Sequence, residues 1–249
     1  MPVKLKKLFS DPLSIVLVGV IGLAGVFAGP LSGGVYARNR ADSVEAKVIQ
    51  CVVQDDATAS FGVLPPFLLQ HASGHYTNIH IETAGNQVRD AKGMKLNLDI
   101  KDVRVEDTAT SSGSLGSLVA DIDWTTEGIK QTIQGAIPLV GSFVTGVTTN
   151  ATDGTIELEG ALGSIIARPE VVDGGISLQV QQVTGLGFTL PREAVQPALD
   201  AFTSKLTQDY PMNIRADSVQ VTDSGVVSRF STTNQSMPKQ TDDPCFAGI

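Results

Sequence analysis

Met94 to Lys101 reads MKLNLDIK, and its alternation decides the fold class. Met94, Leu96, Leu98 and Ile100 fall on one side; Lys95, Asn97, Asp99 and Lys101 fall on the other. Side chains two apart share one face of a strand, so one face is apolar and the other wet. That pattern marks an antiparallel sheet covered on a single side. The same period recurs along the chain. It predicts strands through Ile79 and Ile81, Val103 and Val105, Leu118 to Trp124, and Ile156 and Leu158. Further strands are predicted through Leu178 and Val180, Val219 and Val221, and Val226 to Ser231. Asp153-Gly154, Asp173-Gly174-Gly175 and Asp223-Ser224-Gly225 supply the turns between them.

Three helices interrupt this pattern. Arg38 to Asp55 carries Val44, Val48 and Val52 at four-residue spacing. Thr126 to Phe143 carries Ile129, Ile133 and Ile137, with Thr126 as cap and Pro138 as a break. Pro191 to Gln208 carries a stripe of Val195, Leu199, Phe202 and Leu206, with Pro197 placed to bend it. The expected architecture is α+β: one long, curved antiparallel sheet around a helix, since strand twist curls so extensive a sheet. Few helices cover its concave side. Aliphatic surface is then left over, either as core or as a groove for something oily.

Before the sheet lies a different kind of segment. Residues 12–37 carry no charge and follow Lys4, Lys6 and Lys7. The apolar core, Leu13 to Ala28, places the remainder on the far side of a membrane, because basic flanks stay in the cytoplasm. Residues 1–37 serve as a single-pass membrane anchor, or as a signal peptide cut near Val26-Phe27-Ala28. Residues 38–236 then form the extracytoplasmic domain and 237–249 a C-terminal tail.

Past residue 40, thirteen Lys and Arg stand against twenty-five Asp and Glu. Such an acidic domain is repelled by nucleic acid and gains nothing from simple adsorption to an anionic bilayer. Lipid contact has to come from a shaped apolar site. Cys51 and Cys245 are the chain's two cysteines. Outside the cytoplasm they are expected to form a disulfide, restricting the unfolded chain by about 5 kcal/mol and tying down the tail; the alternative is two free thiols.

Catalytic signatures are lacking. His71, His75 and His80 are close in sequence but have no converging fourth ligand, and read as loop and wet-face residues. No Gly-x-Ser-x-Gly elbow occurs, and the Ser111–Ser117 stretch has no phosphate-binding lysine. No cofactor is expected. Val63 to His71, VLPPFLLQH, is harder to place. Its three consecutive apolar residues after two prolines either line a groove mouth or form a buried crossover into the sheet.

Tyr36-Ala37-Arg38 leading into a helix, then Pro66-Phe67-Leu68-Leu69-Gln70 and Gly74-His75-Tyr76-Thr77-Asn78-Ile79, resemble the LmeA family of actinobacterial envelope proteins. The likeness spans Gly34 to Asn234. It implies a fold like the tubular lipid-binding domains, non-catalytic binding of phospholipid with phosphatidylinositol favoured, and support of mannan elongation in lipomannan. The partners expected are the inner membrane, at its periplasmic face, and a membrane glycosyltransferase. Alternatives are a structural adaptor for that enzyme, or a hydrolase of envelope lipids. Pattern assigns lipid contacts to Phe67 and Leu68 at the groove mouth and to Leu96, Leu98, Leu199 and Phe202 inside.

Overall fold

In the computed structural model, the Met94 strand forms the centre of a six-stranded sheet. The structure describes residues 49–106, 108–136, 141, 144–207 and 211–238. The N-terminal apolar segment lies outside them. Among the described residues no helix is long and apolar enough to cross a membrane.

A helical stretch at residues 49–53 (α1) leads into β1 (Ala57–Phe61), α2 (Phe67–Ser73) and β2 (His75–Thr83). A small hairpin, β3 (Gln87–Val88) and β4 (Ala91–Lys92), precedes β5 (Met94–Val105) and β6 (Ser111–Thr125). Next come α3 (Thr126–Ala136), β7 (Val144–Asn150), β8 (Thr155–Gly160), β9 (Gly163–Val172), β10 (Gly175–Gly185) and β11 (Phe188–Thr189). The chain closes with α4 (Gln196–Thr207), β12 (Arg215–Thr222) and β13 (Gly225–Pro238).

The fold is sheet-dominated α+β, with long antiparallel strands and few helices, as expected. The strands, however, divide between two sheets, ordered β1-β2-β5-β6-β13-β12 and β11-β10-β9-β8-β7. β12, at the edge of the first sheet, lies against β9 and β10 of the second. The Ala216 N–H donates to the Gly174 carbonyl at 2.8 Å across that junction.

Val103 and Val105 belong to β5 rather than to a separate strand. Lys101 and Asp102 are both exposed, and Asp102 adopts φ 59°. Two outward positions in succession reset the alternation, so Val103 points inward after Ile100; β2 and β6 take the same step beside it, at Tyr76 and Ile79 and at Leu115 and Leu118, and the register is unchanged. α3 is capped one residue earlier than expected: the Thr125 hydroxyl accepts the Gly128 N–H at 3.1 Å. It is described to Ala136, so Ile137 and Pro138 lie outside. Pro197 does not bend α4. It occupies the second helical position, where its missing N–H has no intrahelical acceptor to lose. β13 extends through Met237, which is fully buried, and Pro238.

Two packed cores result. One fills the space under the first sheet with α1 and α2, around Val52, Ile81, Leu98 and Leu118. The other lies between the second sheet, α3 and α4, around Ile133, Leu158, Ala167 and Phe202. Polar residues take the outward faces, where His80 meets Asp99 at 2.9 Å and Arg229 meets Asp121 at 2.6 Å.

Candidate functional site

At the seam between the two cores the interior is open. A cavity of about 170 Å³ is walled by both sheets, by the β3–β4 hairpin and by α3 and α4. Among the described residues that line it, none is ionisable. Among the described lining residues, Thr203, Ser228 and the Trp124 indole are the only side chains with polar atoms. The Thr203 hydroxyl donates to the Leu199 carbonyl at 3.0 Å, and the indole N–H donates to the Lys92 carbonyl at 2.8 Å. Two of these three groups are thus satisfied by backbone, and what faces the opening is hydrocarbon.

Strand register shows where the opening stops. Met94, Trp124 and Val226 form one cross-strand row; Leu96, Ile122 and Ser228 form the next; Leu98, Ala120 and Phe230 form the third. All of the first two rows line the cavity, but of the third only Phe230 does. The Phe230 ring closes that end, beyond which the first core is solid. On the other wall, Ile165, Ala167 and Pro169 occupy successive inward positions of β9. Four residues of strand span about 13 Å. The opening is therefore elongated along the strands.

Pro169 is tolerated in β9 for a local reason. It pairs with Leu178 on β10, while the β8 ladder ends at Ile156 opposite Ala167. The missing N–H of the proline therefore costs no ladder bond.

α4 is fastened over the cavity by Gln196. Between the β9 ladder and the short β11 hairpin, β10 presents an open edge. The Gln196 side chain completes that edge: its Nε2 donates to the Leu178 carbonyl at 2.8 Å and its Oε1 accepts the Val180 N–H at 2.9 Å. An amide side chain thus substitutes for a neighbouring strand, and Leu199 and Phe202 on the next turns are held against the opening. β10 bulges between Val180 and Gln182, which returns Val183 to the inner face.

α3 closes the far side. A side chain at Gly128 would bring its Cβ within 2.2 Å of the Lys92 carbonyl, so only glycine allows this helix to meet the hairpin. The hairpin is anchored in turn to the end of α1. The Arg89 N–H donates to the Val53 carbonyl at 2.7 Å and its Nε to the Val52 carbonyl at 3.2 Å. Asp55 accepts the Gly85 and Asn86 N–H groups, each at 2.9 Å, and the Asn86 side-chain amide at 2.8 Å. Burial works to raise the Asp55 carboxyl, but these bonds outweigh it and hold it below the ordinary aspartate value.

Of the six side chains assigned to lipid from the sequence, the structure brings three together. Leu96, Leu199 and Phe202 line the cavity; Leu98, Phe67 and Leu68 do not. Leu98 sits one row past the end of the opening. Phe67 is buried at the opposite end of the first sheet, with ring centroids 5.1 Å from Phe61 and 6.3 Å from Tyr76. Leu68 lies on the exposed side of the same short helix. The crossover is pinned by the buried Gln70. Its Nε2 donates to the Gly62 carbonyl at 2.9 Å and to the Pro65 carbonyl at 2.6 Å, and its Oε1 accepts the Thr77 N–H at 3.0 Å.

His75 and His80 pair with Asp102 and Asp99 on the wet face of the first sheet, away from the cavity. Among the described residues no group of three or more His, Cys, Asp and Glu is placed to hold a metal. One end of the expected Cys51–Cys245 bridge, Cys245, lies outside the described residues.

Fold and cavity together define a two-sheet protein with an elongated, uncharged interior slot. Residues 35–231 match the LmeA-like phospholipid-binding family, and the chain belongs to that family. It is also similar to uncharacterized proteins of Mycobacterium tuberculosis and Mycobacterium bovis, 52% identical over 240 residues. The match covers 96% of this chain and 69% of each relative. No solved structure matches the chain.

Proposed function

We propose that this protein is a non-catalytic phospholipid-binding protein of the bacterial cell envelope, holding acyl chain in the slot between its two sheets. The observation that carries the reading is the lining: both sheets and two helices converge on about 170 Å³ of space without one ionisable group among the described residues. An apolar cavity of this kind stays dry, because water finds no partners there. At about 24 cal/mol per Å³, leaving it empty costs about 4 kcal/mol. Hydrocarbon recovers that cost, and each buried methylene contributes about 0.8 kcal/mol. Ten methylenes contribute about 8 kcal/mol, a micromolar affinity before the costs of association.

In this reading the lipid is of the phosphatidylinositol type, its head group stays at the rim, and the protein works at the periplasmic face of the inner membrane. There it is tethered or released by its N-terminal segment, and supports mannan elongation of lipomannan beside a membrane glycosyltransferase. Cys245 pairs with Cys51 and draws the tail back to α1; among the described residues no cysteine is free, which supports the pairing.

The test is co-elution of phospholipid with the full chain on gel filtration, after exposure to vesicles containing phosphatidylinositol or phosphatidylcholine. Stoichiometric lipid with a preference for the inositol head group is the expected result. A chain that emerges lipid-free from both is a structural adaptor, and turnover of the lipid makes it a hydrolase.

A further inference from the structure

The second sheet ends in an apolar tip that the cavity does not use. Gly160, Gly163, Gly185 and Phe188 are paired in one cross-strand row. The turns carrying Leu162 and Leu186 therefore lie at the same end of the sheet, joined by a 2.7 Å bond from the Leu186 N–H to the Leu162 carbonyl. Glycine is required within this row: a Cβ on Gly163 would lie 1.9 Å from the Thr184 carbonyl. Leu162 is 62% exposed, Leu186 73%, Phe188 72% and Leu190 43%.

Charge is absent here although the domain is strongly acidic. Residues 160–167 and 174–191, which form the tip, the adjoining half of β9 and all of β10 and β11, contain no Asp, Glu, Lys or Arg. Proteins ordinarily guard a short edge strand with charge. Here β11 offers Phe188 instead. Such a patch is matched to an uncharged, apolar medium, and an acidic body around it turns away from anionic surfaces. The tip is also continuous with the cavity wall. The Leu190 N–H donates to the Val183 carbonyl at 2.9 Å, and the chain passes within five residues to Val195, which lines the cavity. Ile165, at the cavity's near end, is two residues from Gly163.

We infer that Leu162, Leu186, Phe188 and Leu190 form a membrane-docking tip that inserts among the acyl chains of a bilayer and sets the β9–β10 end of the cavity against it. The inference rests on the phospholipid-binding reading for what is loaded, while the docking itself is measured separately. The tip enters the bilayer as an apolar wedge, which needs no basic patch on the acidic domain.

The experiment places a benzophenone-bearing phenylalanine analogue at position 188 of the full chain, and for comparison at position 64, reconstituted in vesicles of phosphatidylcholine, which carry no net charge. Leu64 is as exposed, at 76%, but lies in the crossover at the far end of the first sheet. Irradiation is expected to crosslink position 188 to phospholipid and to leave position 64 without lipid. Crosslinks from 188 to a second protein chain, or lipid crosslinks from 64 alone, overturn the inference.

A second arm pairs Leu186→Glu with Phe188→Glu. Lipid uptake from vesicles should slow at least about tenfold, because two side chains no longer enter hydrocarbon. The amount of lipid accepted from detergent micelles and the melting temperature should be unchanged. Uptake from vesicles within about twofold of the native chain refutes docking and leaves the cavity reading intact. Should the native chain accept no lipid from micelles, the cavity reading fails, and the crosslink at 188 still decides docking.

Discussion

Replacing Ala167 with phenylalanine should empty the protein of lipid without unfolding it. Ala167 is buried in the middle of β9, between Ile156 on β8 and Val180 on β10, and faces the slot. A ring built there enters existing space. In a close-packed core the same change would cost about 1–3 kcal/mol through overpacking. Here it fills part of an opening whose vacancy costs about 4 kcal/mol at 170 Å³. The lipid-free variant should therefore be as stable as the native chain, or more stable by about 1–2 kcal/mol. The ring takes the place of about four methylenes of ligand, so lipid affinity should fall by about 3 kcal/mol, or about 100-fold. Urea denaturation of delipidated protein reads the first quantity, and titration with a fluorescent phospholipid reads the second. A variant that loses 2 kcal/mol or more of stability, by about the overpacking cost, yet binds lipid normally would refute the reasoning. Ala167 would then face solid core, with lipid held elsewhere.

Other changes test the supports of the cavity. Gln196→Ala should release the Leu178 and Val180 backbone groups and cost about 1–3 kcal/mol; hydrogen exchange should rise in α4 before it rises in β9. Gln70→Ala should cost a similar amount by leaving the Gly62 and Pro65 carbonyls unmatched, but should not change lipid affinity, since the crossover lies away from the slot. Asp55→Asn should destabilise by about 1 kcal/mol at neutral pH, measured by urea denaturation. The native Asp55 pKa is depressed, so its contribution is present above the ordinary aspartate value and fades as the pH falls through the folded-state value. The variant should lose less stability than the native chain over that acidic window.

What the sequence reveals depends on whether burial is one-sided. β5 and β6 alternate cleanly because one face is wet, and both were legible. β1 and β7 are built largely from Ala, Ser, Thr, Gly and Val, and carry little contrast between faces. β9 has Pro169 within it, which argues against a strand until the short reach of β8 is known. The split into two sheets is a matter of which edges pair, and period-two alternation is silent on that.

The candidate site shows the same boundary. Alternation identified Leu96 and Leu98 as inward-facing, yet only register reveals that the opening ends between them. The helical stripe found Leu199 and Phe202 because amphipathic spacing points one face of α4 at the interior. Gln196 and Ala167 carried no signal. A polar residue at a helix start and a small residue in an unread strand acquire meaning only from the edge and the gap they face. Phe67 stands in a ring cluster with Phe61 and Tyr76, away from the slot, and an apolar run alone does not separate a buried crossover from a groove mouth.

The claim beneath all of this is that the seam between the two cores holds hydrocarbon from a lipid. Native mass spectrometry of the full chain, purified under mild conditions without added lipid, addresses it directly. The protein mass should be increased by that of one phospholipid, and the Ala167→Phe protein should lack the increase. Bare protein mass from both, before and after exposure to phospholipid vesicles, would contradict it.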